Sequence, residues 1–292
     1  MLRLLCVILF DIFLGACNSS PIEQVTPSET PEPLPDYQPL LDSATSELSQ
    51  LAGSVITARR NDTQVRRVSG RLRHGGGKLV IDDGLLRFAD EDGFDANGVA
   101  ENEVVVLSLV NPGGKYEHAS LYSTSYSVDG ANYSAVGAIG VATRLVDMPI
   151  QGTARYAGDA VYAYSNLAGT GFGGVGTLDA RVDFTNGTVD ANVTLNTAQN
   201  AFTRENISDP EFDRIDMRGL LIDGTAFSGT DMRAVKDNRT VQVTGDNSSA
   251  RVEGQFYGAA RASDGSVIPD EIAGEGLLAG DDGNIILSFI GD

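Results

Sequence analysis

The chain has 292 residues, with 21 Lys plus Arg against 40 Asp plus Glu and a formal charge of -19. So acidic a surface repels phosphate backbones and excludes nucleic acid as the partner of the bulk of the chain. Two Cys and two His exclude a disulfide framework and any Cys/His zinc cluster.

The chain opens on an apolar run, Leu4-Leu5-Cys6-Val7-Ile8-Leu9-Phe10, placed after Arg3 and continued by Ile12-Phe13-Leu14. A bilayer-spanning helix needs about 20 apolar residues, so this run reads as the apolar core of a secretory signal. It ends in Leu14-Gly15-Ala16-Cys17, which resembles the lipobox of bacterial lipoproteins. That resemblance implies cleavage before Cys17, acyl chains such as palmitate on its sulfur, and, with Asn18 following, an outer-membrane address. The alternative is a buried N-terminal helix of a soluble protein. Against it, Asn18 to Pro39 holds six of the ten prolines, a composition that stays extended and packs no core. Residues 1–17 are therefore expected to be the signal and residues 18–41 a Pro-rich disordered tether.

Leu41, Ala44, Leu48, Leu51 and Val55 recur at steps of three and four, with Glu47 near the start of the stripe. That period predicts a short helix over 41–57. From Val65 onward the pattern changes to short alternating segments cut by Gly, Asn and Asp. Strands are expected at 104–110, 116–128, 177–184, 188–195, 241–244, 250–257 and 285–289. Asn186-Gly187 and Asp281-Asp282-Gly283-Asn284 supply hairpin turns. Strands at this spacing with no helices between them predict antiparallel sheet, closed or sandwiched. A membrane-spanning barrel would carry aromatic girdles, whereas aromatics are 7% here and Trp is absent.

In the C-terminal half several segments fall in order. Gly152-Thr153-Ala154-Arg155-Tyr156-Ala157-Gly158 comes first, then Gly176 to Phe184, which leads into Gly187 to Val193. Phe227-Ser228-Gly229-Thr230 follows, then Val252-Glu253-Gly254-Gln255-Phe256-Tyr257-Gly258, then Glu271-Ile272-Ala273-Gly274. This series resembles the eight-stranded barrel of the transferrin-binding protein B family of surface lipoproteins, related to factor H binding protein. The resemblance covers residues 148–292 and implies an antiparallel eight-stranded filled β-barrel. Residues 42–147 are then a helix plus a small antiparallel sheet, similar to the family's handle domain. The segment Arg261 to Pro269 separates Phe-Tyr-Gly from Glu271 more widely than is usual in the family. Independently of the family, Val182 and Phe184 share one strand face, and Phe256 and Tyr257 lie on opposite faces. One of that last pair fills the barrel and the other faces out.

Residues 59–87 carry eight basic side chains, among them Arg66, Arg67, Arg71 and Arg73, against three acidic ones. They form either a stripe for an anionic partner or lipid headgroups, or strands docked on the acidic remainder. Tyr116, His118, Tyr122 and Tyr126 lie two or four apart on one strand face. They read as an exposed hot spot, as haem-ligating chemistry, or as the packed face of a small sheet. Asp90 to Gly98 is acidic and turn-rich but lacks the spacing of a calcium loop. Gly169-Thr170-Gly171-Phe172-Gly173-Gly174 matches a nucleotide fingerprint by letters, yet alternating strand residues follow it where the fingerprint needs a helix.

No nucleophile elbow, metalloprotease helix or cysteine nucleophile is present in the sequence. No catalytic residue, metal ligand or cofactor is assigned. The resemblance implies a lipid-anchored, surface-exposed binding protein of the outer membrane, non-catalytic, held by Cys17. Such a protein would capture a protein or a metal- or haem-bearing nutrient beside an outer-membrane transporter. The alternatives are a barrel carrying a small solute, or a structural envelope lipoprotein without ligand.

Overall fold

Across Thr153–Asn166 and most of Gly171–Asp183 buried residues recur at every second position, and this period of two lets a sheet close with one face inward. The structure is a computed structural model. It describes residues 37, 50–59, 62–73, 78–82, 99–101, 105–110, 114–128, 131–167, 171–201, 203–261 and 265–292; side chains are described at 37, 114–123 and from 136 onward within those ranges.

The first sheet holds β1 (Gln50–Arg59), β2 (Asp62–Arg73), β3 (Lys78–Asp82), β4 (Val99–Glu101), β5 (Val105–Val110), β6 (Ala119–Val128) and β7 (Ala131–Val141). Its order is β3-β2-β1-β7-β6-β5-β4, antiparallel throughout. The helix expected over 41–57 is corrected here. Residues 50–57 belong to β1, and 41–49 lie outside the described residues. β1 is paired on both sides, by β2 and by β7. Two ladders of backbone hydrogen bonds override a helical spacing of leucines, and Val55-Ile56-Thr57 is a β-branched run that suits a strand.

A 3-10 turn, Leu145–Asp147, leads into the second sheet. This sheet contains β8 (Thr153–Asn166), β9 (Gly171–Asp183), β10 (Thr188–Leu195), β11 (Gln199–Asn200), β12 (Arg214–Asp223), β13 (Ala226–Gly229), β14 (Met232–Lys236), β15 (Arg239–Val241), β16 (Ser249–Tyr257), β19 (Glu271–Ala279) and β20 (Gly283–Gly291). Before β19, β17 (Ala260–Arg261) and β18 (Val267–Ile268) form a ribbon of their own. The order β10-β9-β8-β20-β19-β16-β13-β12 returns to β10 through the β10–β12 pairing, so eight strands close a barrel. β14 and β15 extend beyond the ring from β12, and β11 pairs with β9. Between Phe-Tyr-Gly and Glu271, Ala260–Arg261 and Val267–Ile268 pair as the β17–β18 ribbon, and Tyr257 still pairs directly with Glu271.

The β9–β10 hairpin forms with Asp183 opposite Thr188. Gly187 takes φ +64, and the Asp183 carboxylate accepts the Asn186 backbone N–H (3.0 Å) and side-chain amide (2.8 Å). The strand expected at 241–244 lies earlier, as β15 ending at Val241: Asp237 and Asn238, both at positive φ, turn the chain so that Arg239 starts a hairpin partner of β14. Gly171–Asp183 is strand, so the Gly-rich stretch before it meets no helix N-terminus.

Rings fill the lumen. Tyr162, Tyr164, Phe172 and Phe212 pack together near one end, with centroids 5.1–6.0 Å apart. Phe184, Phe227, Phe256 and Phe289 continue the core. The hydroxyls reach the barrel's mouths. Tyr162 donates to the Thr197 carbonyl (2.6 Å), Tyr164 to Val243 (2.9 Å) and Tyr156 to Pro269 (2.9 Å). Val182 and Phe184 share the inner face, as the alternation requires, and Phe256 points inward while Tyr257 points out. Gly254 leaves room for the Phe227 ring, into which any Cβ there would project.

Phe256→Ala is expected to destabilise the chain by about 3–5 kcal/mol, the usual cost of deleting a buried ring. Exposed Leu221→Ala should change stability by less than about 0.5 kcal/mol. Urea unfolding of both variants checks the pair.

Candidate functional site

The two sheets meet at a polar seam organised by Glu271, the first residue of β19. Its carboxylate accepts the backbone N–H groups of Glu117 (2.6 Å), His118 (3.1 and 3.2 Å) and Ala119 (2.8 Å). This explains why β6 begins at Ala119 rather than at Tyr116: the preceding amides bind a side chain of the barrel instead of a strand. Burial pushes the Glu271 carboxyl up to about 7 from an ordinary 4.5, and these hydrogen bonds and the nearby His118 only partly offset the loss of water. Backbone pairing continues across the seam. Thr143 donates to the Phe256 carbonyl (2.9 Å), and Gly258 donates to Val141 (2.9 Å).

Tyr116, Ala119, Leu121 and Ala138 pack on Tyr257, Ala273 and Ile290 from the barrel. Tyr116 Oη donates to Asp159 (2.7 Å), which also pairs with Lys115 (2.9 Å); burial first, then Asp159, raises the Tyr116 pKa. His118 Nε2 lies 3.4 Å from Asp270, and its ring occupies the space left by Gly258, which holds φ +57. Tyr37 comes from the proline-rich stretch and docks beside the seam. Its hydroxyl donates to Asp147 (2.6 Å) and accepts the Arg144 N–H (2.8 Å), and its ring meets His118 edge-on. Tyr37 is the one described residue of the segment expected to be a Pro-rich tether, 18–41, whose other residues lie outside the described residues.

Tyr116, His118 and Tyr122 are buried, which corrects their reading as exposed partner-binding positions, and of the three Tyr116 joins the cluster packed on the barrel. Tyr126 sits in β6 opposite Tyr133, and its side chain lies outside the described residues. Arg66, Arg67, Arg71 and Arg73 belong to β2, whose backbone passes β16 and β19, the strands that carry buried Glu253 and Glu275. The side chains of these arginines also lie outside the described residues, as do Cys17, His74 and the segment 90–98. Among the described residues no group of three or more His, Cys, Asp or Glu side chains is arranged to hold a metal ion.

A second feature lies on the outer wall of the barrel. A cup of about 690 Å³ opens across β8, β9, β10 and β12, with Arg155, Arg181, Arg214 and Arg218 beside Asp179, Asp190 and Asp216. Register shifts between Val189 and Ala191, so that Arg218 and Gly219 of β12 face a single residue of β10. Gly219, at φ +58, donates its N–H to Asp190 (2.7 Å). Asp216, 7% exposed, binds Arg214 (2.7 Å) and Arg218 (3.0 Å), and Arg155 grips Asp179 through two bonds (2.9 and 2.5 Å). Sequence reasoning missed this site because its charges come from four strands, and no local spacing brings them together.

Replacing Glu271 with Gln aims an NH₂ group at three backbone donors and is expected to destabilise the chain by about 3 kcal/mol. The native carboxyl binds its proton more tightly folded than unfolded. Its contribution is therefore full below about 4.5 and is lost as pH rises through about 7. Stability should fall across this window in the native chain, and that component should vanish in Glu271→Gln; denaturant melts at several pH values read both. Tyr37→Phe deletes the hydroxyl that joins Arg144 to Asp147 and is expected to cost about 1 kcal/mol by the same melts.

Residues 148–269 match the family described as C-lobe and N-lobe beta barrels of Tf-binding protein B. Comparison with curated protein sequences gives no match. Among solved structures, a mutant of transferrin binding protein B from Haemophilus parasuis Hp5 is 15% identical, with a TM-score of 0.50 over 83% of this chain and 45% of that one. The isotype 1 transferrin binding protein B of serogroup B Neisseria meningitidis is 14% identical, with a TM-score of 0.49 over 82% and 43%. This chain thus spans under half the length of either protein, and at 15% identity the first of these likenesses bears on fold alone. The matched segment ends before β19 and β20, which the ring needs for closure. Residues 148–269, with those two strands, therefore form a barrel domain of the transferrin-binding protein B type.

Proposed function

We propose that this chain is a lipid-anchored binding protein of the outer-membrane surface, non-catalytic, that captures a protein or a metal- or haem-bearing nutrient for uptake by a transporter. The observation that carries this reading is the filled lumen. Phe212, Phe227, Phe256 and Phe289, each 0% exposed, occupy the space a solute would need, which directs binding to the barrel's outer wall and rims. The barrel type supports the class of function, since the structures it resembles are titled transferrin binding proteins. The apolar run before Cys17 supports the anchor. The same filled lumen weighs against the solute-carrier alternative.

The test begins with intact cells. Mass spectrometry of the mature N-terminus should find Cys17 acylated, and Cys17→Ser should release the chain from membranes. Brief protease treatment of whole cells should remove barrel epitopes, and crosslinking should recover an outer-membrane or extracellular protein. An uncleaved N-terminus, a protease-resistant barrel on intact cells, or substrate turnover by the purified chain would overturn the proposal.

A further inference from the structure

The outer-wall cup lies apart from the seam, and its composition departs from the rest of an acidic chain. Four guanidinium groups stand beside three carboxylates, an excess of one positive charge within a chain of net charge -19. Arg155 and Arg181 are directly opposite in the β8–β9 ladder. Like charges at facing positions destabilise a sheet unless an anion lies between or over them. Arg155 has such an anion in Asp179. Arg181 enters none of the ion pairs among the described residues; Asp190 faces it across the β9–β10 ladder, but its carboxylate accepts the Gly219 N–H (2.7 Å) instead.

The other guanidiniums are held rather than free. Buried Asp216 receives Arg214 and Arg218, and Arg214 is fixed further by Asn238 (3.0 Å). The β12 bulge turns Arg218 outward with 63% of its side chain exposed. Arginines fixed in this way lose little freedom on binding, and Arg is enriched where protein interfaces concentrate their energy. The carboxylates matter equally. A polyanion laid in the cup would meet Asp179 and Asp190 and be repelled. An extended peptide offers what both kinds of lining group need: a carboxylate for Arg181, and backbone N–H groups for the acid side chains.

From this arrangement we infer that the cup is a docking site for an acidic peptide segment of a protein partner, with Arg181 as the residue that receives its carboxylate. The inference rests on the binding-protein reading above and adds to it the chemistry of the partner.

Its test uses the full mature chain made soluble by Cys17→Ser and labelled with nitrogen-15. The arginine side-chain N–H signals are followed while a blocked Gly-Glu-Gly-Glu-Gly peptide, inorganic phosphate or a sulfated heparin tetrasaccharide is added. The peptide should move the Arg181 and Arg218 signals with a midpoint in the low millimolar range, weaken with added salt, and weaken about tenfold or more in Arg181→Glu. Arg181→Gln should fall between the two, and both variants should still melt cooperatively, because the side chain is exposed. Absence of peptide-induced shifts at the cup overturns the inference. Equal or tighter binding of phosphate or the tetrasaccharide at the same signals overturns it too, and marks a general anion site.

The two readings fail separately. A partner recovered from cells and bound equally well by Arg181→Glu keeps the binding-protein reading and removes the cup. A cup that takes the peptide in a chain with no surface exposure keeps the cup and removes that reading.

Discussion

Closing a sheet of eight strands removes both its edges only if the first and last strands meet in register, and here that meeting is between β10 and β12. The pair carries a register shift, because β12 places two residues where β10 places one. Without that extra residue the ladder would run straight. With it, the strands bend toward each other and the ring shuts. The same irregularity has a second effect on the outside. Gly219 turns through the left-handed region, its N–H binds Asp190, and Arg218 swings toward Asp216. One backbone adjustment therefore both closes the core and shapes the charged concavity above it.

Inside the ring, closure and filling depend on one another. A closed eight-stranded barrel leaves room for side chains and little else. The rings of Tyr162, Phe172, Phe212, Phe227 and Phe256 take that room, and the tyrosine hydroxyls hold the rim loops down through carbonyls at Thr197, Val243 and Pro269. Glycines appear where rings need the space. At Gly254 a side chain would collide with Phe227, and at Gly258 with His118. The first of these glycines serves the lumen and the second serves the seam. A single short motif thereby supports both the interior of the barrel and its contact with the neighbouring sheet.

Much of this was legible in the sequence, for a physical reason. The alternation in 177–195 and 250–257 is imposed by a wall with one dry face, so the strands, the Asn186-Gly187 turn and the opposed directions of Phe256 and Tyr257 could be read locally. The helix over 41–57 misled because a helical spacing of leucines is a local signal, and the two ladders of backbone hydrogen bonds that hold β1 between β2 and β7 are not. Tyr116, His118 and Tyr122 do not form one strand face, because β6 begins only at Ala119 and Tyr116 packs with Ala119 and Leu121; no local pattern shows that Tyr116 is covered by Tyr257, Ala273 and Ile290, more than 130 positions further along the chain. Glu271 appeared only as a motif letter. Its task of collecting three amides from 117–119 depends on a contact that sequence spacing cannot encode. The cup was invisible for the same reason, being assembled from β8, β9, β10 and β12.

The seam and the cup illustrate two uses of charge in an acidic protein. At the seam a carboxylate is buried among backbone donors, so its value is geometric: it fixes where one sheet sits on the other, at a desolvation cost visible in its raised pKa. Arg155 and Asp179 in the cup remain near water, where an ion pair adds little to stability. That pair is therefore poorly explained as a structural brace, whereas buried Asp216 needs Arg214 and Arg218 as its partners. Their effect is to hold guanidinium groups at fixed positions on a rigid wall. Fixed donors on a wall that cannot collapse inward, because the lumen behind it is full, are what recognition of another chain's carboxylates requires.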